Sequence, residues 1–132
     1  MKTVLLILIV ICGTRSAAAQ QLSTADELLK HMPCQAWTIM RDNNWAGNSD
    51  DQIAVEAWTV RYVREYAKIA TKQLEKDAPK NADGADVTDR QIVNWMSTYC
   101  VKHPEDPFIK AVFFLWSTFS MFPDHQNLPL PQ

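Results

Sequence analysis

Two cysteines, Cys34 and Cys100, constrain this chain more than any other residues, because they stand far apart behind a leader that marks the product for export. Lys2 is followed by the apolar run Val4-Leu5-Leu6-Ile7-Leu8-Ile9-Val10-Ile11 and then by small residues ending in Ala17-Ala18-Ala19. A basic start, a short apolar stretch and an A-x-A ending make a secretory signal peptide, predicted over 1–19 with cleavage before Gln20. The run is shorter than the roughly 20 apolar residues of a membrane span, so no stable membrane insertion is expected. Cys12 leaves with the leader, and Ile11 before it is too large for lipoprotein processing. In an oxidising periplasm the two remaining thiols pair by default. Closing so long a loop is worth roughly 4 kcal/mol in the chain-entropy model, comparable with the net stability of a small domain.

The mature chain is long enough for one core and too short for two. Removing Lys2 and Arg15 from 13 basic residues leaves 11 against 15 acidic ones, a formal charge of −4 with histidine neutral. No basic patch points to nucleic acid. Helix starts are legible throughout, so the expected fold is all-α: a small single-domain bundle of about four to five helices with one disulfide. The helical domain is expected over 20–122, with a disordered tail over 123–132 that contains Pro129 and Pro131.

Thr24-Ala25-Asp26-Glu27 reads as a capping box opening a short helix that ends near Met32, because Pro33 disfavours helical geometry in the residue before it. A second short helix carries Cys34, Trp37, Ile39 and Met40. After a polar loop, Ser49-Asp50-Asp51-Gln52 caps the longest helix. On it Ile53, Ala57, Val60, Val63, Ala67, Ala70 and Leu74 recur three and four apart and so share an inward face, with Trp58, Tyr62, Tyr66 and Ile69 beside them. Residues 77–87, with Pro79, Asn81 and Gly84, read as a mobile loop. Thr88-Asp89-Arg90-Gln91 caps the next helix, whose inward stripe is Ile92, Trp95, Met96 and Tyr99, and His103-Pro104 stops it. Asp106 as cap and Pro107 as first helical residue open the last helix. That helix, through Phe108-Ile109-Lys110-Ala111-Val112-Phe113-Phe114-Leu115-Trp116, is apolar almost all round. Such a helix is buried, covered by a partner subunit, or binds something apolar.

Candidate chemistry is sparse. His31-x-x-Cys34 and Cys100-x-x-His103 offer two thiols and two imidazoles, the donor set of a tetrahedral zinc site, but oxidation of both thiols on export competes with metal binding. No strand–turn–helix elbow holds a nucleophilic serine beside a base, and three glycines leave no phosphate loop. Asp50-Asp51 is accounted for by the helix dipole. The chain is therefore read as a non-enzyme without metal or cofactor.

The stretch Val87-Thr88-Asp89-Arg90-Gln91-Ile92-Val93-Asn94-Trp95-Met96-Ser97-Thr98-Tyr99-Cys100-Val101-Lys102-His103-Pro104, followed by an apolar helix, resembles the HdeA/HdeB family of periplasmic acid-stress chaperones. Upstream, Cys34 leads a short helix with Trp37, and a long helix carries Trp58-x-x-x-Tyr62, so the resemblance spans about 34–116. It implies a disulfide-closed helical domain that is a homodimer near neutral pH. In acid such a domain loosens and holds unfolded periplasmic clients on exposed apolar surface. The client or dimer surface is expected around Phe113, Phe114 and Trp116, although each of these residues is also a good core residue. The alternative is a periplasmic immunity protein that neutralises a type VI secretion amidase toxin, recognising that one partner through loops such as 77–87.

Overall fold

The computed structural model describes residues 31–42, 49–74 and 78–132. Among them the chain is all-helical, as expected: α1 (Cys34–Asp42), α2 (Ser49–Leu74), α3 (Asp89–Lys102) and α4 (Phe108–Met121), then one 3-10 turn at His125–Asn127. The helix expected from Thr24 and the leader itself fall largely or wholly outside the described residues. Cys34, opening α1, is joined to Cys100 in the last turn of α3.

The turn between α3 and α4 explains how that bridge is seated. A helix leaves its first N–H groups without internal partners. Here Cys34 N–H donates to the Asp106 carbonyl and Gln35 N–H to the Pro104 carbonyl, both at 2.8 Å, while Phe108 N–H donates back to the Met32 carbonyl at 2.8 Å. Pro33 and Pro107, which have no N–H to lose, face each other across this isolated bridge. The expected cap of α4 shifts by one residue, since Pro107 is the N-cap and supplies no side-chain bond. Asp106 is engaged elsewhere, as described below.

The core is built where all four helices meet. Trp37 from α1, Val63 and Ala67 from α2, Ile92, Trp95, Met96 and Tyr99 from α3, and Phe108, Val112, Leu115 and Phe119 from α4 are all buried. The α3 stripe follows the expected spacing, and its capping box is present, with Thr88 accepting from Gln91 N–H and the Gln91 side chain accepting from Thr88 N–H. The α2 face is narrower than the periodicity predicts. Val60, Val63 and Ala67 are buried, whereas Ile53 is 62% exposed and Ala57, Ile69 and Leu74 are also exposed. A 26-residue helix outruns the 14-residue partners it packs on, so among the described residues its ends find little to bury against. Thr59, absent from the expected face, is fully buried and accepts the Trp37 indole N–H at 2.9 Å.

Two segments make more contacts with the bundle than their composition suggests. In the described part of the 77–87 loop, Ala82 and Val87 are buried. Arg64 of α2 reaches across to donate to the Val87 carbonyl at 2.8 Å and to pair with Asp89. Asn81 and Gly84 both take positive φ, and the bare Cα of Gly84 makes room for the Phe119 ring. The segment read as a disordered tail also lies against the bundle. His125 is buried, Gln91 donates to its carbonyl at 2.8 Å, and Trp95 donates to the Pro129 carbonyl at 3.0 Å. Polar tail composition disfavours a core of its own, but α3 supplies the donors and the apolar floor.

Candidate functional site

The apolar character of α4 is divided between two faces. Phe108, Ala111, Val112, Leu115 and Phe119 point into the core. On the other side Lys110, Phe113, Phe114, Ser117 and Met121 stack one turn above the next, the spacing of a single helical face. Phe113 is 46% exposed and Phe114 42%, and Met121 is open to solvent. A surface helix ordinarily carries a wet outer face, and this one is aromatic.

The three residues expected to form a surface are thus not equivalent. Phe113 and Phe114 lie on the surface with their rings edge to face at 5.9 Å. Trp116 is half-buried in the seam between α2 and α4, where its indole N–H donates to Thr71 at 3.3 Å and its ring meets Tyr66 at 6.4 Å. The rings nevertheless form one continuous ribbon, running from Trp95 through Tyr99, Phe114, Phe113 and Trp116 to Tyr66. Aromatic pairs at these separations attract beyond the area they bury.

Two carboxylates fasten the elements on either side of this ribbon. Asp106, in the turn before α4, accepts from Lys110 at 2.8 Å and from the Tyr99 hydroxyl at 2.7 Å. The Lys110 ammonium first, and then the Tyr99 hydroxyl, hold the Asp106 carboxyl below the usual carboxylate range. Burial, reinforced by the carboxylate, pushes the Tyr99 hydroxyl well above its ordinary value. Asp86, in the loop before α3, faces His125 Nδ1 at 2.5 Å, and that hydrogen bond holds its carboxyl low as well. The other ring nitrogen of His125 faces the Phe119 carbonyl at 3.0 Å, so both ring nitrogens have oxygen partners. Both carboxylates have folded values below their unfolded ones. Their contribution to stability is present above the ordinary carboxylate range and is lost as pH falls through the folded values.

The residues weighed for zinc are arranged differently from a metal centre. Cys34 and Cys100 are bonded to each other, His31 is exposed, and His103 lies tilted on the Tyr99 ring at 4.6 Å. Among the described residues no three His, Cys, Asp or Glu side chains cluster closely enough to hold a metal ion. A groove of about 510 Å³ between α2 and α3 is lined by Ile53, Glu56, Val60, Asp89, Arg90 and Val93. No described helix is long and apolar enough to cross a membrane.

Sequence reasoning missed Asp106, Asp86 and His125 as fastening groups and Trp95 as a hydrogen-bond donor to the tail. Asp106 carried a misleading signal, since Asp-Pro before an apolar run reads as a cap. The Asp86–His125 contact joins residues 39 apart through two turns, and no local pattern announces it. Compared with known proteins, the chain matches no family model, no curated protein and no solved structure.

Proposed function

We propose that this is a periplasmic binding protein of the acid-stress chaperone kind. It is a homodimer near neutral pH that covers Phe113 and Phe114, and in acid it loosens and holds unfolded clients on that surface. The observation that carries this reading is the aromatic outer face of α4, beside which Asp106 holds Tyr99 and Lys110, while Asp86 holds His125 against Phe119 on the buried side; both contacts depend on negative charge. Acid weakens those contacts and also reverses the charge of the whole chain. With every carboxylate protonated, 11 basic residues and three histidines take the mature chain from −4 towards +14, and self-repulsion then opposes both the compact state and a dimer. The Cys34–Cys100 bridge is indifferent to pH and keeps α1 tied to α3 in the loosened chain.

The test replaces Phe113 and Phe114 with serine. The reading predicts a variant that keeps its helical signal at neutral pH, sediments as a monomer and no longer suppresses client aggregation in acid. A variant unfolded at every pH would instead make these residues part of the core.

One observation favours a second reading, an immunity protein that neutralises a type VI secretion amidase toxin. Arg64 holds the 78–87 loop in one shape with Lys80, Ala85 and Asp86 exposed, and a preorganised loop recognises a single folded partner at little entropic cost. A saturable complex with one purified periplasmic amidase, weakened by Lys80→Glu, would support that reading.

A further inference from the structure

Residues 128–132 are held as a ligand is held. Leu128 packs against the core, at the end of the 3-10 turn. The carbonyl of Pro129 accepts the indole N–H of Trp95 at 3.0 Å, and the carbonyl of Pro131, two residues on, accepts the ammonium of Lys102 at 3.0 Å. Between them Leu130 points to solvent, 59% exposed. Trp95 is itself buried, its ring stacked at 5.5 Å on Tyr99, so its N–H depends on this segment for a partner. A buried N–H left unpaired is costly.

The surface beneath the segment has the chemistry of a proline-reading groove. Alongside the end of the segment it opens into a cavity of about 350 Å³ lined by Trp95, Tyr99, His103, Phe114, Met121 and Pro131. Parallel aromatic side chains with an indole donor suit an extended strand that offers carbonyls and carries few N–H groups of its own. Proline supplies such a strand at low entropic cost because its φ is already set. With the segment in place this cavity stays open beside Pro131 and runs along α4 as far as Met121.

We propose that the α3–α4 groove is a recognition site for extended segments of the pattern apolar-Pro-apolar-Pro on a partner protein, and that residues 128–132 occupy it in cis as a resident competitor. This function operates on the folded chain and does not depend on acid-induced client holding; because Phe114 lines the groove and also belongs to the proposed dimer surface, partner binding and dimerisation compete for it. Its occupant is argued from the segment already seated there.

The test uses the full chain with Leu128→Gly, Pro129→Gly, Leu130→Gly and Pro131→Gly combined, which empties the groove. The Trp95 indole proton, assigned by its loss in Trp95→Phe, is followed by NMR at neutral pH. Emptying the groove should move that resonance. Adding a synthetic peptide that repeats residues 126–132 should return it saturably towards its wild-type position. A peptide with both prolines replaced by alanine should bind several-fold more weakly. Introducing Trp95→Phe into the emptied chain, with the Met121 methyl as reporter, should weaken binding about fivefold, the value of one hydrogen bond. No response at millimolar peptide, or equal affinity for the alanine peptide, overturns the proposal. An assembly larger than that of the wild type, formed by the emptied chain without peptide, assigns the groove to a second copy and overturns it too. Should the fourfold variant lose its fold, the same titration on Leu128→Ala, which removes only the apolar anchor, decides the matter.

Discussion

Several single residues here sit where a small change has a large physical consequence. Gly84 holds φ near +63°, and a Cβ added there would stand 2.9 Å from Cζ of Phe119 and closer still to other ring atoms. Gly84→Ala combines left-handed strain with overpacking and should cost about 3 kcal/mol, read as a lower denaturation midpoint with an unchanged slope. Thr59 is the buried acceptor for Trp37, so Thr59→Val, though isosteric, strands an indole N–H in the core. It should cost about 1–3 kcal/mol by the same measurement, whereas the paired change with Trp37→Phe should cost less than the sum of the two. The Thr88–Gln91 capping box was readable because both partners lie within four residues. Thr59 was not, since its partner is 22 residues away and a lone threonine on a helix face ordinarily points to water.

At the scale of elements, helix positions were legible wherever a cap, a proline and a 3.6-residue period agreed, as in α3. They were less so where a helix outran its partners, as at both ends of α2, because periodicity records amphipathicity and not the length of what lies opposite. The aromatic excess of α4 was visible, but its division into a buried and an exposed face depends on which side α2 and α3 take. The contacts that seat the 78–87 loop and the 123–132 segment were not legible because they come from donors on other elements, Arg64, Gln91 and Trp95. The fastenings at this scale predict a pH response. Asp86 and Asp106 carry folded values below the ordinary carboxylate range, so their contribution is present at neutral pH and lost as pH falls below about 4. Asp86→Asn and Asp106→Asn should each be less stable than wild type at pH 7 and converge on it in acid. Urea midpoints taken from about pH 7 down to pH 2 check this, and parallel curves would contradict it.

For the whole molecule, the disulfide separates loosening from unravelling. It spans 66 residues and ties α1 to α3, so Cys34→Ser or Cys100→Ser should cost roughly 4 kcal/mol. Either change should leave the chain largely unfolded in acid, with thermal melts before and after reduction as the check. The candidate surface was only half legible: Phe113 and Phe114 could be picked out by their excess of apolar character, and Trp116 could not be separated from them until α2 was in place. On the proposed function, acid converts this closed helical domain into a holder of unfolded chains. That conversion is tested most directly by adding the oxidised mature protein to a client that aggregates after unfolding at about pH 2 to 3, while its own sedimentation is followed from neutral pH downward. Dissociation together with protection of the client is the expected result. A protein that stays folded and leaves aggregation unchanged would contradict it.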